Sequence, residues 1–175
     1  MTSDRQQPMG YPVIRNAGFD GMLVSFDGQL SESGNRAALA FRAAVAGEGW
    51  DGVDEVSSSL ISVCVRFDPL HVPHAVMQAQ IAVLLDSQDW YLAALPEGRR
   101  FWRIPTVFGT DQAPQLAEAA EVAGLSEAEA ISSLSNARVR VETIGFAPGQ
   151  PYLGELPDVW DIPRQTTLTE RIPVG

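Results

Sequence analysis

Residues 145–157 read Gly-Phe-Ala-Pro-Gly-Gln-Pro-Tyr-Leu-Gly-Glu-Leu-Pro. From Gly145 to Gly154, three glycines and two prolines surround two aromatics, a density of breakers that excludes a helix or a central strand and predicts an ordered loop. Glycine permits positive φ and lets a ligand approach bare backbone, while Pro148 and Pro151 freeze the flanking angles. Phe146 and Tyr152 supply apolar walls with one hydroxyl between them. A rigid, concave, amide-rich loop suits a small-molecule pocket. The same composition also suits a structural loop pinned by its aromatics, and the residues alone leave both readings open.

Upstream, Arg138 to Ile144 predicts a strand that delivers the chain into this loop. Ser126 with Glu129 forms a capping box for a short helix through Leu134, and Pro114 to Ala123 is alanine-rich and helical with Gly124 as its cap. Phe101 to Phe108 reads as a strand. Leu95 to Arg100, carrying Pro96 and Gly98, predicts a boundary, giving a flexible tail at 1–10, an α+β domain at 11–95 and a second domain at 96–175. In the first domain Met22 to Phe26 alternates like a strand. Ser31 to Ala46 has helical spacing with Gly47 closing it, and Gly52–Ser57 with Leu60–Phe67 predicts a hairpin ended by Asp68-Pro69. Pro73 opens a second helix with an apolar stripe of Val76, Met77, Ile81, Leu84 and Leu85. Two helices on one face of an antiparallel sheet is the expected sandwich.

The chain has 175 residues, 45% of them hydrophobic, with a net charge of −10 from 22 acidic and 12 basic side chains. That balance argues against nucleic acid, whose phosphates need a basic surface, and against anionic membranes. No apolar run reaches the length of a membrane span, and Met1 to Gln7 is polar, so the expected location is the cytoplasm. The single cysteine, Cys64, falls in an alternating run and reads as a strand thiol rather than a nucleophile. His71 and His74 lie three apart without a third ligand nearby and read as surface or capping residues.

No Walker loop, dinucleotide fingerprint, GxSxG elbow or HExxH motif is present, so no autonomous active site of those kinds is expected. The polar candidates stand around the loop: Tyr152, Glu155, Asp158, Asp161 and Arg164. Arg164 suits a two-pronged clamp on a carboxylate or phosphate, or an ion pair with Asp158 or Asp161.

The loop, followed by Ile162-Pro163-Arg164 and then Arg171-Ile172-Pro173, resembles the signature of the allophanate hydrolase subunit 1 group. That group includes the B subunit of bacterial 5-oxoprolinase and the sporulation-kinase inhibitor of bacilli, and is similar to one half of the urea carboxylase carboxyltransferase domain. The likeness extends through Leu23–Phe26, Asn35 and Arg36, Val65–Pro69 and Ile104-Pro105. It implies a second domain that begins a cyclophilin-like β-barrel, incomplete here because the family's barrel continues past the point matching Gly175; another chain would complete it, or the chain is cut there. It implies a non-autonomous member of an ATP-dependent amide or lactam hydrolase complex, with ATP and magnesium in the assembly. The implied partners are a companion of the allophanate hydrolase subunit 2 type, equivalent to the C subunit of 5-oxoprolinase, and a third chain; the implied substrate is a small anionic amide. Gly145, Phe146, Ala147, Pro148, Gly149, Tyr152 and Arg164 are the implied substrate-binding residues, with the Gly145, Ala147 and Gly149 amides as donors. The chain departs from the family pattern at Phe108, Gln115, Leu134, Val139, Gln150 and Glu155, where Leu134 replaces a titratable histidine. Those departures favour a non-catalytic regulator as the alternative; a carboxyltransferase half is a third.

Overall fold

The computed structural model describes residues 9–111, 114–145, 147–163 and 166. The chain divides into two units, residues 1–99 and 100–175. Both mix helices with antiparallel strands, an α+β construction.

The first unit runs β1 (Val13–Asn16), β2 (Gly21–Ser25), α1 (Glu32–Glu48), β3 (Val53–Ser59), β4 (Ser62–Phe67) and α2 (His74–Leu85), then a 3-10 turn at Trp90–Leu92. The strands pair antiparallel in the order β1-β2-β4-β3, with Val24 opposite Val63 and Met22 opposite Val65. Alternation sends Met22, Val24 and Phe26, then Val63, Val65 and Phe67, to one buried face. Ala37, Ala38, Phe41 and Val45 of α1 and Met77 and Ile81 of α2 close over that face in a single cluster. Phe41 joins ring contacts at its centre, 5.5 Å from Phe26 and edge-on to Trp90 at 5.1 Å. Burying one such ring, like each fully buried Val, Met or Ile of the cluster, stabilises by about 1.5–3 kcal/mol.

Local chemistry sets the element ends. Ser31 caps α1 by accepting from the Gly34 amide at 3.1 Å, and its hydroxyl donates to Asp27 at 2.6 Å. The helix passes through Gly47, the expected closing point, and ends at Gly49, whose φ of 61° supplies the left-handed cap. The strand β1 is an addition to the expected set: its four residues are half-buried or exposed because it lies at the sheet edge. The β3–β4 turn holds Leu60 at φ 52°, unusual for a branched side chain, and the buried Asn35 carboxamide donates to the Leu60 carbonyl from α1. Tyr91 packs edge-on to Phe26 and donates its hydroxyl to the Phe26 carbonyl at 2.7 Å.

The second unit holds α3 (Leu116–Val122), α4 (Glu127–Asn136), β5 (Val141–Ile144), β6 (Pro151–Leu153) and a 3-10 turn at Asp158–Trp160. Gly124, at φ 70°, ends α3. The capping box forms: the Ser126 amide and hydroxyl both donate to Glu129 Oε2, at 2.8 and 2.6 Å, and the Glu129 amide returns a bond to Ser126 Oγ. Those bonds hold the Glu129 carboxyl below its usual range. Phe101 to Phe108, expected as a strand, has no regular structure, because strand propensity needs a pairing edge and none meets it among the described residues. Those residues form no closed barrel; their sheet is the two-stranded β5–β6. The tail at 1–8 lies outside them, and none of their helices is long and apolar enough to cross a membrane.

Candidate functional site

The Gly145–Gly154 run forms the tip and return strand of a β-hairpin rather than a loop throughout. Ile144 pairs with Pro151 and Thr143 with Tyr152, and the Gly145 amide donates to the Gln150 carbonyl at 3.1 Å. Pro151 is tolerated because β6 is a short edge strand. At the tip the Gln150 amide donates to the Ala147 carbonyl at 3.1 Å, closing the turn Ala147-Pro148-Gly149-Gln150. Proline in the second position and glycine at φ 78° in the third match a type II turn. The turn type at the tip is thus the one its proline and glycine specify.

The hairpin's base is fixed by a bulge. Pairing shifts between Val141 and Thr143, leaving Glu142 as the extra residue, and its side chain is only 7% exposed. Its carboxylate lies 3.6 Å from the Arg140 guanidinium, and the Gly154 amide donates to the Arg140 carbonyl at 2.7 Å. A Cβ on Gly154 would sit 3.0 Å from Glu142 Oε1, close enough that the carboxylate would have to shift to admit it. Arg140, Glu142 and Gly154 therefore clasp the open end of the hairpin. Neither Arg140 nor Glu142 stands out in the sequence; the sole signal is a charged pair, two apart, inside an apolar strand run.

Of the residues expected to bind substrate, Gly145, Ala147, Pro148, Gly149 and Tyr152 come together on this hairpin, while Phe146 and Arg164 lie outside the described residues. The Gly145 amide is committed to the hairpin and is not a free donor, a correction to the expected set of three. Among the described residues, no backbone hydrogen bond from the Ala147 or Gly149 amide is formed. Tyr152 on β6 is exposed. Beyond it Asp158 starts a 3-10 turn that Trp160 ties to α4 through its indole N–H, 3.0 Å from Ser133 Oγ, and Asp161 follows. Glu155 is exposed in the connecting stretch.

Of the departures from the family pattern, Gln115 precedes α3, Leu134 lies on α4 and Val139 is in the connection to β5. The remaining titratable candidates sit in the first unit. His71 Nε2 is 2.7 Å from Asp51 Oδ2, a bond that raises the imidazole pKa and lowers that of the carboxyl. His74 packs edge-on to Phe67 at 5.0 Å. Burial pushes the Cys64 thiol up, the opposite of an activated nucleophile.

The family described as carboxyltransferase domain, subdomain C and D, matches residues 12–175. The chain is similar to the 5-oxoprolinase B subunit of Bacillus subtilis (strain 168), 28% identical over 170 residues, covering 93% of this chain and 70% of that protein. It is also similar to the 5-oxoprolinase B subunit of Escherichia coli O157:H7, 39% identical over 90 residues, covering 50% of this chain and 41% of that protein. Its fold is like the crystal structure of TTHA0988, with a TM-score of 0.59 and 24% identity, over 88% of this chain and 28% of that one.

Proposed function

We propose, from the premise that the chain belongs to the family of the carboxyltransferase domain, subdomain C and D, that it is a non-autonomous subunit of a 5-oxoprolinase-type amide hydrolase complex. The observation that carries this reading is the likeness to a 5-oxoprolinase B subunit across 93% of the chain. The hairpin's own chemistry agrees with it. Ring opening of a cyclic amide develops negative charge on the carbonyl oxygen, and amides preorganised in a turn stabilise such charge without reorganising. Ala147 and Gly149 are those donors here, Tyr152 lends a wall and a hydroxyl, and Arg164 takes the substrate's anionic group. The clasp of Arg140, Glu142 and Gly154 keeps the tip in register with the strands.

The proposed assembly uses ATP with magnesium, where phosphorylation of the amide oxygen would activate it toward water. The residues of this chain do not fit a nucleotide site: all twelve of its basic residues are arginine, so the phosphate-loop lysine has no counterpart. In this reading a companion of the C-subunit type shares the substrate. The family's description itself favours one second reading, a carboxyltransferase half, which would require a biotinylated carrier.

Reconstitution tests both. The purified chain alone should hydrolyse no pyroglutamate, and assembly with its companions should yield pyroglutamate-dependent ATP hydrolysis without biotin. Arg164→Ala should lower substrate affinity roughly tenfold to a hundredfold, since a charge-assisted contact is worth about 1.5–3 kcal/mol. Full turnover by the isolated chain, or dependence on a biotin carrier, would overturn the hydrolase reading.

A further inference from the structure

An apolar groove of about 700 Å³ runs along α2 of the first unit and reaches the last residue of α1, Glu48. Its walls are Trp50, Val76, Ala79, Val83 and Leu84. Met77 and Ile81 bury the opposite side of α2 in the core, whereas Val76 and Val83 stay exposed. A volume of this size falls within the range of small-molecule sites, about 300–1,000 Å³. The groove's polar complement is anionic and rich in acceptors. Glu48 supplies a carboxylate, and no lysine, arginine or histidine lines the groove. Glu48 also closes α1, where the helix dipole favours a cation and the last turn offers no basic side chain. Gln80, another lining residue, has an Oε1 that is shut off from water and accepts no hydrogen bond. The Ser87 hydroxyl has committed its proton to the Leu84 carbonyl, 2.7 Å away, and so faces a ligand only as an acceptor.

We infer that this groove binds a hydrophobic primary ammonium, an alkyl or aralkyl amine whose chain lies along α2 and whose charged head meets Glu48. Charge complementarity selects the occupant. An ammonium carries three N–H donors and no acceptor, which answers a carboxylate and a set of unanswered oxygens. Trp50 adds an indole face, the aromatic surface that attracts cations most strongly. Gln80 gains as well: its terminal torsion is soft, and turning the carboxamide toward the groove gives Oε1 the donor it lacks. A carboxylate ligand of equal length would meet Glu48 and the negative end of the α1 dipole with like charge, so the apolar walls alone do not decide what binds. A second copy of this chain is a poorer occupant, since each copy would bring a carboxylate and no cation to the contact.

Three probes of one chain length test this on the full chain at neutral pH: n-octylammonium, 1-octanol and n-octanoate, each titrated below its micelle concentration. Binding is followed by proton–nitrogen NMR, with the Trp50 indole signal assigned through Trp50→Phe. The expected result is saturable movement of the Trp50 indole and of the Ala79 and Val83 amides with octylammonium, octanoate binding at least tenfold more weakly and octanol between them. Glu48→Gln should weaken octylammonium at least threefold, leave octanol unchanged and not lower the first unit's urea midpoint. Ala79→Phe fills the groove from the exposed side of α2 and should abolish binding of all three. Octanol or octanoate binding as tightly as octylammonium would reduce the groove to apolar adhesion and overturn the proposal. So would octylammonium affinity indifferent to Glu48→Gln, or binding that survives Ala79→Phe in a folded protein. Signals along α2 that move with protein concentration alone would give the face to a second copy and overturn it too, as would no binding at all.

Discussion

Gly149→Ala isolates what the hairpin tip asks of its backbone. At this residue φ is 78° and an added Cβ meets nothing within 4 Å, so the methyl group strains only its own peptide units. An L-residue in the left-handed region costs about 1–2 kcal/mol. Replacing glycine by alanine also stiffens the unfolded chain, which offsets about 0.4–1 kcal/mol. The difference is a net destabilisation of up to about 1.6 kcal/mol, centred near 0.8. Gly145 provides the control, because it too has open space around an added Cβ but lies outside the left-handed region. Gly145→Ala should therefore be neutral or stabilise by up to about 1 kcal/mol. Urea unfolding followed by tryptophan fluorescence, with amide exchange across 141–154, reads both variants. If Gly149→Ala proves as benign as Gly145→Ala, the type II turn is not what holds the tip, and the assignment of the Ala147 and Gly149 amides as preorganised donors fails with it.

Tyr91→Phe keeps the ring against Phe26 but orphans a buried carbonyl, so it should destabilise the first unit by about 1–2 kcal/mol in urea melts; a change near zero would mean the bond contributes nothing. Ser126→Ala removes the reciprocal cap and should fray the first turn of α4 at a cost of about 1 kcal/mol, read as faster exchange of the Glu129 amide. The His71–Asp51 pair has a defined pH window. Its imidazole, raised above 6.5, contributes fully below that pH and loses its contribution as pH climbs through the folded value, while Asp51, lowered below 3.8, loses its share only in acid. The stability difference between wild type and His71→Gln should therefore be largest below pH 6.5 and shrink as pH rises through the raised folded-state value, and a difference that widens would refute the pairing.

Elements with strong local chemistry are legible in the residues themselves. The Ser126–Glu129 box, the left-handed Gly124 and the alternation of Met22 to Phe26 each stand where their residues put them. The glycine-proline loop leads to the family that residues 12–175 match. What fails is whatever depends on partners distant in sequence. Val13–Asn16 has too few residues for a period and is a strand only because β2 offers an edge. Phe101–Phe108 has the propensity and lacks the edge. Gly47 and Gly49 are two residues apart and indistinguishable by type, yet only Gly49 takes positive φ. At the site, breaker density hides the return strand, and the Glu142 clasp escapes sequence reasoning because a bulge is a property of two strands in register.

The strand order β1-β2-β4-β3 has a kinetic consequence. The β1–β2 and β3–β4 pairings are each local hairpins, whereas the β2–β4 seam joins Ser25 to Ser62, 37 residues apart, across the whole of α1. Closing that span costs about 3 kcal/mol of chain entropy before the seam's contacts repay it. The two hairpins and the helix should thus form early and the seam late, with its closure as the barrier. Val24→Ala and Val63→Ala, which face each other across the seam, are expected to slow refolding by a larger factor than Ile14→Val on β1, which should mainly hasten unfolding.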